Sequence, residues 1–114
     1  MEDKSLKILI EEAIRVSLKA GKKERTTTLR MLLNEIKTTE KIKKDSLDSS
    51  ETIFIIQKMI KQRKDSMSQF LSAEREELAQ KEEREIETLS EFLPEQLSEE
   101  EIKELVAKSI IDLN

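Results

Sequence analysis

The chain has 114 residues, 40% of them charged, 36% hydrophobic and 3% aromatic, with one Gly, one Pro and neither Trp nor Tyr. That is enough for one domain with a modest core, and it is the composition of long amphipathic helices, with little material for strands or turns. The absence of Cys and His excludes disulfides, thiolate nucleophiles, Cys-ligated metals and the commonest general base.

The expected fold is all-α. A disordered chain of equal charge would not repeat its apolar residues at helical spacing, as this one does. Helix 1 is expected over residues 3–20 with Asp3 as N-cap. Leu6, Leu9, Ile10, Ala13, Ile14 and Ser17 form its apolar stripe, and Gly21 is the left-handed stop. Helix 2 spans 23–43 with Leu29, Leu32, Leu33 and Ile36 inward. Thr26, Thr27 and Thr28 are poor helix formers, so its start could slip to Thr26. Residues 43–47 read as a loop. Helix 3 spans 49–71, opened by Asp48 and Glu51 at capping-box spacing, with a seam of Ile53, Ile56, Ile60, Met67 and Phe70. Helix 4 spans 73–92 with Ser72 as N-cap and Leu78, Ile86, Leu89 and Leu93 on its seam, and Pro94 ends it. Helix 5 opens with a Ser98/Glu101 capping box and a Leu97/Ile102 staple, and Ile102, Leu105, Val106, Ile110 and Leu113 share one face.

Short connections make helices 1–2 and 3–4 antiparallel hairpins. Each has one apolar stripe, and packing one on the other gives a four-helix unit. Ile10 faces Leu33 and Ile14 faces Leu29 in the first hairpin. In the second, Met67 faces Leu78, Ile60 faces Ile86, Ile56 faces Leu89 and Ile53 faces Leu93, each pair of numbers adding to 145 or 146. The same rule sets Arg63 opposite Glu82, so the two charges that interrupt the seams lie at one level. A semi-buried structural ion pair of Arg63 with Glu82, or with its neighbour Glu85, follows as an expectation. Arg63 extended to solvent is the competing one.

The search for chemistry gives mostly exclusions. One Gly cannot build a phosphate loop, no Ser has a base at motif spacing, and there is no Glu-x-x-His pair for a di-iron centre. The run Glu82, Glu83, Glu85, Glu87, Glu91 reads as a solvated helix face rather than a cation site. No catalytic residue, metal or cofactor is expected. No apolar run approaches the roughly 20 residues of a membrane span, and Met1-Glu2-Asp3-Lys4 lacks the order of a signal peptide, so the expected compartment is the cytosol.

Charge is the remaining signal. The net −4 divides into +5 over residues 1–65 and −9 over 66–114. Two basic clusters, one of Lys19, Lys22, Lys23, Arg25 and Arg30 and one of Lys58, Lys61, Arg63 and Lys64, could contact RNA phosphates, with the acidic half as a shield. The bland alternative is that both are solvated faces. Base readout of single strands leans on stacking aromatics, and only Phe54, Phe70 and Phe92 are present, mostly in apolar stripes. Recognition would then be of backbone and shape, by Lys22, Lys23, Arg25, Arg30, Lys61 and Lys64.

Several blocks add a resemblance. Lys23-Glu24-Arg25, Leu29-Arg30-Met31-Leu32, Ile60-Lys61-Gln62-Arg63-Lys64-Asp65-Ser66, Lys81-Glu82-Glu83 and Phe92-Leu93-Pro94-Glu95-Gln96-Leu97-Ser98-Glu99-Glu100-Glu101 resemble the bacterial-type YqeY-like family in order and spacing over nearly the whole chain. Phe92 stands where Tyr is usual, and Ser72-Ala73-Glu74-Arg75 replaces a more usual Gly-Arg turn. The family is similar to the C-terminal portion of the B subunit of the glutamine-dependent aspartyl/glutamyl-tRNA amidotransferase. The resemblance implies an N-terminal helical domain, here 1–94, and a tail domain that begins at about Glu95. Only the first tail helix, 95–114, is present, whereas family members run on well beyond it. In the amidotransferase the tail contacts tRNA, and the ATP- and amide-handling parts lie elsewhere. Carbon–nitrogen ligase activity with glutamine as amide donor therefore attaches to this chain by resemblance alone. The expectation is a non-catalytic accessory module associated with tRNA, weakly so if the tail carries the contact. The alternative is a protein–protein interaction module that docks on a partner or a second copy through Ile102, Leu105, Val106 and Ile110 of helix 5.

Overall fold

The computed structural model describes residues 5–94. Helix 5 with its caps, its apolar face and the 95–114 tail, together with the Asp3 cap, lie outside the described residues. Four helices fill the described part: α1 (Leu6–Lys19), α2 (Lys23–Lys43), α3 (Ser49–Ser72) and α4 (Glu76–Ser90), with no strand among them.

The helix ends follow from local chemistry. Ser5 caps α1, its hydroxyl accepting from the Ile8 N–H. Gly21 stops α1 at φ 73, with its own N–H donated to the Leu18 carbonyl and that of Lys22 to Ser17. The threonines do not delay α2, which begins at Lys23. Thr26, Thr27 and Thr28 each donate to the carbonyl four residues back, so the competing hydroxyls bond along the helix instead of opening it. Asp48 and Glu51 complete the capping box of α3 in both directions. The start of α4 differs from expectation. Ser72 belongs to α3 and α4 opens at Glu76, because residues 73–75 make the reversal, with Glu74 in the left-handed region at φ 59.

The most extensive helix contact is α3 on α4, and the next is α1 on α2, as two hairpins require. α2 and α3 each touch all three other helices. The core joins Ile10, Leu32, Ile36, Ile55, Ile56, Met59, Ile60 and Leu89, with Ile14, Leu33, Ile86, Phe92 and Leu93 packed around it. Ile10, Ile36, Ile56 and Leu89 are fully buried, and truncating any of them to Ala costs about 2–5 kcal/mol. Ile55 and Met59 lie outside the single seam read from the sequence, yet both are buried. α3 packs on α4 with one side and on α2 with another, so it needs a wider apolar face. Leu9, placed in the α1 stripe, is instead 38% exposed, because α1 packs chiefly on α2.

Candidate functional site

Two bidentate ion pairs clamp the start of α2 to α4. Arg25 donates to both oxygens of Glu91 at 2.7 and 2.8 Å, and Arg84 donates to both oxygens of Glu24 at 2.7 and 3.1 Å. The Arg84 bonds hold the Glu24 carboxyl below its ordinary pKa, with help from Lys81. The Glu91 bond likewise strengthens proton retention on Arg25. Deeper in, Arg63 Nε donates to Glu85 Oε1 at 2.8 Å and its Nη1 to the Met59 carbonyl at 3.2 Å. Arg63 and Glu85 are both buried. The ion pair therefore forms with Glu85, and the Arg63–Glu82 pairing set by the register is corrected to this neighbour. Glu82 is half-buried beside the pair, and its carboxyl is pushed up, first by burial and then by the Glu85 charge. Among the described residues no buried side-chain polar atom lacks a partner.

These bonds reduce the charge asymmetry of the sequence. Glu85 and Glu91, from the acidic half, neutralise Arg63 and Arg25 of the basic half. Of the six cations expected to meet RNA, Arg25 is engaged with Glu91, and Lys61 lies 3.4 Å from Asp65 one turn on. Lys22, Lys23, Arg30 and Lys64 are exposed, and none of them forms an ion pair with another of the described residues. Lys22 and Lys23 sit at the start of α2 and Lys64 stands on α3. Two further cations join from the structure. Lys23, Arg30, Lys37 and Lys41 stand at i, i+7, i+14 and i+18, which places them along one outward line of α2, all four exposed. The line is about 27 Å long at ~1.5 Å per residue. Its signal in the sequence is this helical spacing of cations, which a search for local clusters passes over.

Beside that line runs an open groove of about 650 Å³, where segments distant in sequence converge. Lys23, Thr27 and Met31 line it from α2, Gln62 and Ser66 from α3, and Lys81 and Glu82 from α4. The groove thus joins four of the blocks that carry the family resemblance. Among the described residues no group of three or more acidic side chains is placed to hold a metal ion, and no helix is long and apolar enough to cross a membrane.

The described residues form a four-helix unit of two hairpins, with an open groove lined by Lys23 and Lys81. The model of the Yqey-like protein family matches residues 7–114, and the chain belongs to that family. It is 37% identical over 94 residues to an uncharacterised protein of Schizosaccharomyces pombe, covering 82% of this chain and 76% of that one. It is also 41% identical over 90 residues to the mitochondrial protein "Altered inheritance of mitochondria protein 41" of Vanderwaltozyma polyspora, covering 76% of this chain. The Kluyveromyces lactis protein of the same name is 34% identical over 108 residues, 91% of this chain. The matched region spans 49% and 58% of those two relatives.

Proposed function

We propose that this chain is a non-catalytic accessory module that associates with tRNA through the phosphate backbone. The observation that carries the reading is the outward line of α2, where Lys23, Arg30, Lys37 and Lys41 are exposed and form no ion pair with the other described residues, while the buried and clamped arginines serve the fold. Polyanion binding draws on such free cations, and each one that neutralises a phosphate adds to the salt dependence. The carbon–nitrogen ligase chemistry, with glutamine as amide donor, belongs in this reading to the amidotransferase that the family resembles. Glutaminase or amidation activity in the purified chain would overturn it.

The test is a gel shift with tRNA across a salt series. Micromolar binding that weakens steeply with salt is expected, with a shallower salt slope when Lys23, Arg30, Lys37 and Lys41 become Glu. Arg25→Glu serves as the control for charge that the fold already uses. A second reading, a protein-interaction module, is favoured by an apolar groove at the other side of the fold. Leu6, Leu9 and Ala13 of α1 and Phe92, Leu93 and Pro94 after α4 line it, with the Arg25–Glu91 pair at its edge, where α1 and α4 barely touch. Concentration-dependent self-association without RNA binding would select that reading. By their names two relatives are mitochondrial proteins, and imaging a tagged chain against a mitochondrial marker decides between that compartment and the cytosol.

A further inference from the structure

The three phenylalanines are not equivalent. Phe92 packs on the core and Phe70 is half-buried, but Phe54 is 66% exposed. It stands one position off the α3 seam, and Lys58 and Gln62 follow it at four-residue steps, so the three side chains line one side of α3. Across from them stand Met31, Asn34 and Glu35 of α2, and these six, with Thr39, Ile55, Met59 and Arg63, line an open groove of about 530 Å³. Asn34 lies between Arg30 and Lys37 on the outward line of α2, so cations edge this groove on both sides.

We infer that the α2–α3 groove is a site for single-stranded RNA, with an unpaired base stacked on the Phe54 ring. The chemistry is that of single-strand binding, in which an aromatic platform holds a base face and flanking cations follow the backbone. Lys58, one turn from Phe54, supplies the cation nearest a stacked base. Arg30 and Lys37 supply those of the opposite rim. The amides of Asn34 and Gln62 carry donors and acceptors for base edges. Glu35 is the carboxylate in the lining. It repels phosphate on its own edge of the groove, whose buried residues are Ile55, Met59 and the Glu85-paired Arg63. A duplex offers no free base face to Phe54, because its bases already stack on one another.

This inference rests on the RNA reading and adds to it a preference for unpaired segments, which backbone contact alone does not create. The experiment is fluorescence anisotropy of the full chain with a labelled octauridylate and with a labelled RNA duplex of matched charge. Phe54→Ala is expected to weaken single-strand binding roughly 5- to 100-fold and to leave duplex binding unchanged. Phe54→Trp is expected to retain binding, with its fluorescence quenched on addition of the single strand. A Phe54→Ala loss below about twofold, an equal loss on both RNAs, or an unquenched Trp overturns the single-strand site while the backbone reading stands. Wild-type protein that binds neither RNA overturns both. Because Phe54 is exposed, circular dichroism of the Ala variant should match wild type.

Discussion

Arg63 Nε lies 2.8 Å from Glu85 Oε1, one turn further along α4 than the carboxylate set opposite it by the hairpin register. Helical side chains lean toward the N-terminus of their own helix. In an antiparallel pair both lean past each other, so long side chains meet when their backbones are offset. The Arg63 head reaches the level of Met59, whose carbonyl takes Nη1, and Glu85 leans back to meet it. Both side chains are only 10% exposed, so losing one partner strands a buried charge. Arg63→Met or Glu85→Leu alone is expected to cost about 3–5 kcal/mol, and the double variant to recover most of that loss. Urea denaturation of the four proteins measures the coupling, and a coupling energy near zero would show that the pair does not set the register.

Glu82 gives the opposite sign. Its carboxyl is raised above the ordinary 4.5 by burial first and by Glu85 second, against the attraction of Arg63 and Lys81. A carboxyl with a higher pKa folded than unfolded costs stability above its folded pKa, where it is ionised in both states. The cost disappears below 4.5, where it is protonated in both. Glu82→Gln should therefore stabilise the protein at pH 7, by less than about 1 kcal/mol given its partial exposure, and make no difference at pH 3. Glu24, Glu40 and Glu51 shift the other way, held low chiefly by Arg84, Lys7 and Lys43. Their contribution is present above 4.5 and is lost as the pH falls below it. Thermal melts of wild type and Glu82→Gln at the two pH values should show both trends, with wild type melting lower in acid.

What the sequence disclosed depended on how local the cause was. The ends of α2, the Asp48/Glu51 box and the level at which Arg63 meets an acidic residue all follow from neighbouring residues or from one short turn. The start of α4 was hidden because residues 73–77, Ala-Glu-Arg-Glu-Glu, are all adequate helix formers and the reversal carries no glycine. Ile55 and Met59 were missed because one seam accounts for one partner, and α3 has more than one. The Arg25–Glu91 and Arg84–Glu24 bonds join residues 66 and 60 positions apart, across the contact between hairpins, which no spacing rule reaches. The same contact removes Arg25 from the candidate RNA surface. Phe54 falls in no stripe of the sequence, and a single off-seam aromatic has no periodicity of its own to mark it.

The clamp between Arg25 and Glu91 is partly solvated, with side chains 27% and 41% exposed. Arg25→Glu places two carboxylates together and should destabilise by about 1 kcal/mol at low salt, less at high salt. Adding Glu91→Arg restores opposite charges at the same two positions and should return most of the loss. Chemical denaturation of wild type, the single variant and the swap in low and high salt reads the effect, and a swap no better than Arg25→Glu alone would remove the clamp from the account. Neither variant should alter single-strand RNA binding at Phe54, on the other side of α2.

The turn between α3 and α4 has a correctable strain. Glu74 sits at φ 59, where its N–H bonds the Leu71 carbonyl and the Arg75 N–H bonds that of Phe70, the bonding pattern that Gly21 completes at φ 73 after α1. A left-handed conformation costs a side-chain-bearing residue about 1–2 kcal/mol that glycine avoids, offset in part by the greater freedom of glycine in the unfolded chain. Glu74→Gly should therefore stabilise by about 0.5–1 kcal/mol. It would also bring the turn closer to the Gly-Arg form usual in the family. Gly21→Ala should do the reverse. A Cβ there would meet nothing within 4 Å, so its cost is conformational alone, about 1 kcal/mol. Opposite shifts of similar size in the urea midpoints would assign both effects to the backbone. A destabilised Glu74→Gly would mean that the Glu74 side chain supports the turn by more than the left-handed strain it carries.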